Sequence, residues 1–411
     1  MEYGLIGEKL SHSFSKIIHS EICDYDYSLK ELKPEEVAAF MKDADFKGIN
    51  VTIPYKQEVM KYLDEISPAA EKIGAVNTVV NRGGRLVGYN TDFHGLSALI
   101  KHAKVEIKDK KVLILGSGGT SKTAAAVAES MCAATVLKVS RTGGDGLLTY
   151  SEAETYHSDC DVIINTTPCG MYPKIGLAAI DIDKFTNLSG VIDVVYNPLS
   201  SALVTSAKQR GIKAEGGLYM LVAQAVFAAE KFADKSFSTD IIDSIYEKIL
   251  KKERNIVLIG MPSSGKSTLG KVLAKEYGKD FIDSDEEIVK LCGMPISEIF
   301  SLYGEAHFRE IEALVIANLS KMQNAVIATG GGAVLNKRNL DLLKENGVVL
   351  FLDRPLEELI ATDDRPLSST ADAVRRRYEE RYDIYKSSAE KIVKIGKDID
   401  KNISLIKEVL E

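Results

Sequence analysis

Twice in this chain an unbroken apolar run stops at a glycine-rich loop and resumes as a helix-like stretch: KVLILGSGGTSKTAAAVAE over 111–129 and NIVLIGMPSSGKSTLGKVLAKEYG over 255–278. A strand that is apolar at every position must be covered on both faces, and a parallel sheet flanked by helices is the arrangement that does so. The same texture recurs at DVIINTTP (161–168), GVIDVVYNP (190–198), AVIATGGG (325–332) and VVLFLD (348–353). Shorter runs stand at YGLIG (3–7), KGINVTIP (47–54) and AVNTVVN (75–81). Parallel α/β architecture is therefore expected throughout. From about 218 to 252 the pattern turns helical, and the charged segment EKILKKERN (247–255) marks the main boundary. The two glycine loops differ in spacing and nothing else recurs at a fixed period, so they read as two unrelated phosphate-binding devices rather than a repeat.

A length of 411 residues allows two or three domains. With 45% hydrophobic residues the chain can bury its cores, which excludes a disordered protein. A formal net charge of −7 argues against a dedicated nucleic-acid surface. No run of about 18 apolar residues occurs, so no membrane span is expected. The stretch MEYGLIGEKLSHSFSK has no basic segment followed by an apolar one, so no secretory signal is expected either. The five cysteines, Cys23, Cys132, Cys160, Cys169 and Cys292, are scattered without metal-site spacing. The expectation is a cytoplasmic protein with reduced thiols that binds small molecules, and with neither nucleic acid nor membrane as partner. Whether it forms a homo-oligomer is left open.

Gly260-x-x-x-x-Gly265-Lys266-Ser267 fits the pattern G-x-x-x-x-G-K-[ST] between a strand and a helix. Such a loop, with Ser263, Ser264 and Thr268 around it, would wrap the phosphates of ATP or GTP in backbone N–H groups. Lys266 would neutralise the β- and γ-phosphates, and Ser267 would offer a hydroxyl to Mg²⁺. Asp283 and Asp285 follow the apolar pair Phe281-Ile282 at a strand end, where alternate side chains point the same way. They could hold magnesium-bound water and a substrate hydroxyl, or the segment could simply cap the helix that follows. Gly330-Gly331-Gly332 either lets a backbone approach a ligand or forms a turn.

Residues 254–411 resemble shikimate kinase. The likeness is carried in order by the phosphate loop, Asp283-Ser-Asp285 and Phe300-x-x-x-Gly304-Glu305-x-x-Phe308-Arg309-x-x-Glu312, then by Thr329-Gly-Gly-Gly332, Arg365-Pro-Leu367 and Arg381-x-x-x-Tyr385. The resemblance implies that Asp285, Arg309, Gly331, Gly332 and Arg381 bind shikimate, the arginines pairing with its carboxylate. It implies that Asp283 organises Mg²⁺ through water, that Asp285 orients the attacking 3-hydroxyl, and that Arg365 enters on a lid to stabilise the transferring phosphoryl group. The sequence departs from the family where Ser263 occupies a frequent glycine position. It also departs in the short stretch LIATDDRPL, whose Ala361 replaces an adenine-packing arginine.

In the first glycine loop, Gly116-x-Gly118-Gly119 lies between strand and helix with Ser121 where a third dinucleotide-binding glycine would stand. The next strand ends at Ser140-Arg141-Thr142, where an NAD-binding unit would place an acidic residue. A hydroxyl and a cation there favour the 2′-phosphate of NADP, a preference that the nearby Asp145 weakens. Lys56 past one strand end and Asp92 in a turn before a helix would, taken alone, read as solvated side chains.

Residues 1–245 resemble shikimate dehydrogenase through His12-Ser13-Phe-Ser15, N-V-T-I-P-Y-K at 50–56, G-A-V-N-T at 74–78 and N-T-D at 90–92. N-T-T-P-x-G-M at 165–171, D-V-V-Y-N-P at 193–198 and Gly217-x-x-Met220-Leu-x-x-Gln224 complete the set. The resemblance implies that Ser13 and Ser15 bind the substrate carboxylate and that Thr52, Asn77, Asn90, Tyr196 and Gln224 bind its hydroxyls or shape that pocket. Asn165, Thr166, Gly217 and Met220 would line the nicotinamide region, and Lys56 with Asp92 would form the catalytic pair. It further implies a substrate-binding α/β domain over 1–105 completed by 216–250, a Rossmann-like NADP domain over 106–215, and a P-loop α/β kinase domain over 254–411. The expected function is reduction of 3-dehydroshikimate with NADPH followed by phosphorylation of shikimate with ATP and Mg²⁺. The alternatives are an NAD-using quinate/shikimate dehydrogenase fused to a related kinase, and a regulatory binding protein with a dead site.

Overall fold

The computed structural model describes residues 1–10, 14–359 and 370–411. The chain divides into two compact units, residues 1–171 with 177–249, and residues 250–411 with 172–176. Each is an α/β body, and among the described residues no helix is long and apolar enough to cross a membrane.

The first unit holds two sheets. One is built from β1 (Tyr3–Gly7), β2 (Tyr27–Glu31), β3 (Gly48–Val51), β4 (Glu65–Ile66), β5 (Thr78–Arg82) and β6 (Arg85–Tyr89), in the order β2-β1-β3-β5-β6-β4. β1 runs parallel to β2 and β3, whereas β5 is antiparallel to both β3 and β6. The carboxyl ends of β1, β3 and β6 and the amino end of β5 therefore share one edge of this sheet. The helix Leu218–Ala233 returns from late in the chain and packs on the helix Thr91–His102, which brings Met220 and Gln224 to that edge.

The second sheet, β7 (Lys111–Leu115), β8 (Thr135–Val139), β9 (Val162–Asn165), β10 (Gly190–Asp193) and β11 (Lys213–Glu215), is wholly parallel in the order β11-β10-β9-β7-β8. The winding reverses at β7, so the crevice beyond its carboxyl end is where a ligand of such a sheet sits. β7, β9 and β10 are buried along nearly their whole length, as strands covered on both faces must be.

The second unit carries β12 (Asn255–Ile259), β13 (Asp280–Asp283), β14 (Ala325–Ala328), β15 (Gly347–Asp353) and β16 (Lys391–Lys394), again parallel, in the order β13-β14-β12-β15-β16. β12 lies between β14 and β15, so the loops after these three strands, with Asp283 from β13, converge at one end. Two apolar clusters sandwich the sheet, one around Phe351 and Tyr385 and one around Leu258 and Leu350. Burying each such side chain stabilises the fold by roughly 1.5–3 kcal/mol.

Candidate active sites

In the first unit, a cavity of about 400 Å³ opens at the shared strand edge. Lys9 and Leu10 reach it from the end of β1, Thr52 and Lys56 from the end of β3, Asn77 from the start of β5, and Asp92 from beyond β6. Lys56 Nζ donates to Asp92 Oδ2 at 2.6 Å, with side chains 27% and 14% exposed. This pair faces the cavity yet is sheltered enough to hold one geometry. Asp92 lies within the first turn of the helix Thr91–His102 rather than in a turn before it. There the helix N-terminus favours its negative charge.

Of the expected substrate groups, Ser15, Thr52, Asn77, Tyr196 and Gln224 line this cavity together with Gly217 and Met220. Ser13 lies outside the described residues. Asn90 does not line it: its Oδ1 accepts from Phe93 N to cap the helix, and its Nδ2 donates to Ala75 O. Asn165 is likewise turned inward, donating to Asp193 Oδ1 at 2.9 Å and accepting from Thr167 N and Oγ1. Thr166 donates its hydroxyl to Leu115 O. Burial pushes the Asp193 carboxyl up to about 6, against the pull of donors from Ser201, Val195 and Asn165.

The glycine loop after β7 runs into the helix Gly119–Ser130, with Gly118 as its N-cap and Gly116 at the end of the strand. Thr120 from this helix reaches the same cavity; nothing in the sequence singles it out, because a lone threonine carries no pattern. At the end of edge strand β8, Ser140 accepts from Gly143 N while Arg141 and Thr142 are exposed.

In the second unit, a cavity of about 660 Å³ lies over the carboxyl ends of its strands. The phosphate loop supplies Ser263, Gly265, Lys266, Ser267 and Thr268 to its wall. Gly260 and the fully buried Ser264 shape the loop from behind. Lys266 Nζ donates to Gly260 O and Met261 O, both at 2.9 Å, folded over its own loop. Ser267 Oγ donates to Asp283 Oδ2 at 2.5 Å.

Asp283 ends β13 and caps the helix Ser284–Cys292, accepting from Asp285 N. The cap and the functional position are thus one residue. Asp285 belongs to the helix rather than to the strand end that the spacing suggested, and it still lines the cavity.

Opposite the loop, Arg309 bridges Glu305 at 2.9 Å and Glu312 at 2.8 Å. Glu312 is 1% exposed, and burial raises its carboxyl although Arg309 pulls the other way. A side chain on Gly332 would clash with the Arg309 guanidinium, so the glycine is what lets that cation close over the loop. Gly331 O accepts from Arg381 Nη1 at 3.2 Å and from the Tyr385 hydroxyl. Glu312, Arg354 and Arg377 also line the cavity, although none of them was assigned a role from the sequence. Arg354 directly follows β15 and Arg377 sits one helical turn before Arg381, positions that only the sheet order and helix phase reveal. Ala361 and Arg365 lie outside the described residues.

Known proteins fall on the same division. The family model for the shikimate dehydrogenase substrate binding domain matches residues 5–79, and that for shikimate kinase matches residues 262–411. Shikimate dehydrogenase (NADP(+)) of Clostridium perfringens SM101 is 36% identical over 265 residues, covering 60% of this chain and 97% of the relative. Among solved structures, a chorismate mutase/shikimate 5-dehydrogenase fusion protein from Clostridium acetobutylicum is 38% identical with a TM-score of 0.58, over 61% of this chain and 97% of that one. Shikimate 5-dehydrogenase from Thermus thermophilus, solved in complex with NADP(H) and shikimate, is 25% identical with a TM-score of 0.55, over 60% of this chain and 99% of that one. The chain therefore belongs to the shikimate dehydrogenase family, and it carries a shikimate kinase domain behind that enzyme.

Proposed function

We infer that this chain is a bifunctional enzyme of aromatic biosynthesis that reduces 3-dehydroshikimate to shikimate with NADPH and phosphorylates shikimate to shikimate 3-phosphate with ATP and Mg²⁺. The observation that carries this reading is the pairing of two sites in one chain, Lys56–Asp92 in one unit and Lys266 with Ser267–Asp283 in the other. We assign substrate binding to residues 1–105 and 216–250, NADP binding to 106–215, and the kinase to 254–411. The reading places the protein in the cytoplasm.

The residues present fit the dinucleotide. The Gly116–Gly119 loop lies at the reversal point of a parallel sheet, and exposed Arg141 closes the neighbouring strand. The nicotinamide, when bound, supplies the hydride. Negative charge then develops on the C3 oxygen of the substrate, and the Lys56 ammonium is the group that stabilises it. Asp92 holds Lys56 aimed, and the pair supplies the proton that completes the alcohol. Ser15, Thr52, Asn77, Tyr196 and Gln224 hold the ring through its carboxylate and hydroxyls.

The kinase residues also fit their cofactors. A serine hydroxyl against one carboxylate suits Mg²⁺, which keeps most of its waters. The described residues offer no group of three or more His, Cys, Asp or Glu that would bind a metal without such waters. ATP with Mg²⁺, when bound, supplies the phosphoryl group. Lys266 has to leave its loop carbonyls for the phosphates. Asp285 orients the 3-hydroxyl, and Arg309 and Arg381 hold the shikimate carboxylate as planar forks.

The test supplies 3-dehydroshikimate, NADPH, ATP and Mg²⁺ to wild type, Lys56→Ala and Lys266→Ala. Wild type should yield shikimate 3-phosphate. Lys56→Ala should stop at the first step yet phosphorylate added shikimate, and Lys266→Ala should accumulate shikimate. Reduction at the wild-type rate by Lys56→Ala would sink the assignment of the pair. Replacing NADPH by NADH, and shikimate by quinate, separates the NAD-dependent alternative.

A further inference from the structure

At the wall of the dehydrogenase cavity, which Asn50 and Asn77 line, a cluster of polar side chains from β2, β3 and β5 stands where aliphatic ones would be expected. Tyr27 on β2, Asn50 on β3 and Thr78 on β5 are buried, as are Asn77 and Thr91 beside them. Asn50 and Thr78 are direct partners in the register of β3 and β5. Tyr27 Oη donates to Asn50 Oδ1 at 2.8 Å, Asn50 Nδ2 donates to Thr78 Oγ1 at 3.1 Å, and Thr78 Oγ1 donates to Asn77 Oδ1 at 3.2 Å. Asn77 Oδ1 also accepts from Thr91 N at 2.7 Å, and Asn77 Nδ2 donates to Thr91 Oγ1 at 3.1 Å. Tyr27 itself does not line the cavity; its ring stacks on buried His19 with centroids 3.9 Å apart.

The orientation of the Asn77 amide follows from hydrogen-bond inventory. The backbone N–H of Thr91 can only donate, so it fixes Asn77 with its carbonyl oxygen turned inward and its NH₂ group outward. The second lone pair of that oxygen faces the hydroxyls of Thr78 and Thr91, each at 3.2 Å, and one N–H of the amide is held by Thr91. What Asn77 can offer the cavity is a single donor. Thr91 also opens the helix whose next residue is Asp92, so the residue that locks Asn77 is the chain neighbour of the catalytic pair.

We propose that Tyr27 is a positioning residue of the dehydrogenase: by donating to Asn50 Oδ1 it turns the Asn50 amide so that its NH₂ group holds the Thr78 hydroxyl, and through Thr78 it steadies the Asn77–Thr91 pair that presents a donor to the substrate beside Asp92. This rests on the dehydrogenase reading above. A buried polar chain of this kind costs stability wherever a member goes unpaired, and five buried polar side chains meeting at the cavity wall serve geometry better than packing.

The chain contains its own control, because both activities are measured on one protein. Tyr27→Phe deletes one oxygen and keeps the stacked ring. It should raise KM for 3-dehydroshikimate roughly five- to tenfold, the factor expected for one misplaced hydrogen bond, while kcat and KM of the kinase stay at wild-type values. Thr78→Val should lower both kcat and kcat/KM of reduction, and Thr78→Ser should restore them. Unchanged reduction kinetics in Tyr27→Phe, or a Thr78→Ser no better than Thr78→Val, would overturn the proposal. So would a parallel loss of kinase activity, which would mean general destabilisation. If wild type itself fails to reduce 3-dehydroshikimate, the functional reading falls and the proposal with it.

Discussion

One site lies at the edge of a mixed sheet and the other over the carboxyl ends of a parallel one, and they are held in shape by different means. In the dehydrogenase the groups at the cavity are set by side chains bonding to other side chains: Lys56 to Asp92, Asn77 to Thr91, Asn50 to Thr78. In the kinase, beside the side-chain pairs Arg309–Glu312 and Ser267–Asp283, backbone takes a larger share. Lys266 rests on two loop carbonyls, Arg309 closes over Gly332, and Arg381 bonds to Gly331 O. A ring bearing hydroxyls asks for donors and acceptors in fixed orientation. A transferring phosphoryl group asks for concentrated positive charge, and loops whose N–H groups converge provide it. The dehydrogenase should therefore be most sensitive to isosteric side-chain changes, and the kinase to changes in backbone freedom.

The sharpest break of that contrast is Asp92→Asn. It keeps size and hydrogen bonding but removes the charge that aims Lys56, and general acid–base groups contribute about 10²–10⁴-fold. Reduction of 3-dehydroshikimate should fall by that order, while phosphorylation of added shikimate remains at the wild-type rate. A loss below about tenfold would show that Lys56 needs no partner.

Asp193 carries the next largest effect, and it depends on pH. Its carboxyl titrates at about 6 in the folded protein because burial disfavours the charge; in the unfolded chain it titrates near 3.9. A folded value above the unfolded one means that its contribution is fully present below about pH 4. That contribution is lost as pH rises through about 6, a difference on the order of 3 kcal/mol. Asp193→Asn should flatten that slope and raise dehydrogenase stability relative to wild type at pH 7 but not at pH 4, measured by urea unfolding at both. An equal shift at the two pH values would show that folding does not raise the titration of this carboxyl.

What could be read in the sequence follows the same line. Apolar runs such as VLIL before Gly116 and IVLI before Gly260 announce central strands, since burial on both faces leaves an unambiguous signature. Edge strand β2 and inner strand β6 escaped: YSLKE is mostly exposed, and RLVGY is a run of five with an arginine at its start and a glycine inside it. The resemblance located Lys56, Asp92, Arg309 and Arg381, and the structure brings each to a cavity wall. It could not show that Asn90 is a helix cap or that Asn165 faces Asp193, because an asparagine in a turn looks the same whether it faces ligand or backbone. Glu312 was visible as part of a pattern. Its burial against Arg309 depends on the phase of a helix that is interrupted at Gly304.

That interruption tests the backbone side of the contrast. Gly304 has φ 78 and ψ 173 inside the helical stretch Ile296–Leu319, and a side chain there would meet no atom within 4 Å. Only the backbone conformation demands glycine. Gly304→Ala should cost about 1–3 kcal/mol in strain, lowering the temperature at which kinase activity is lost by about 3–10 °C. The dehydrogenase midpoint should not move, and an unshifted kinase midpoint would show that the helix can straighten without penalty.

Ser263 carries the smallest effect and the finest test. It occupies a frequent glycine position of the phosphate loop, and the backbone keeps the left-handed conformation, φ 63, that glycine would adopt freely. For an L-residue this costs about 1–2 kcal/mol, partly offset because glycine gives the unfolded chain more freedom to lose. Ser263→Gly should therefore stabilise the kinase by no more than about 1 kcal/mol, a rise of about 2–4 °C in its inactivation midpoint. KM for ATP should hold steady, because the loop already has the shape that its N–H groups require. A large fall in KM would mean instead that the serine distorts the cradle, and that the loop is strained in function as well as in stability.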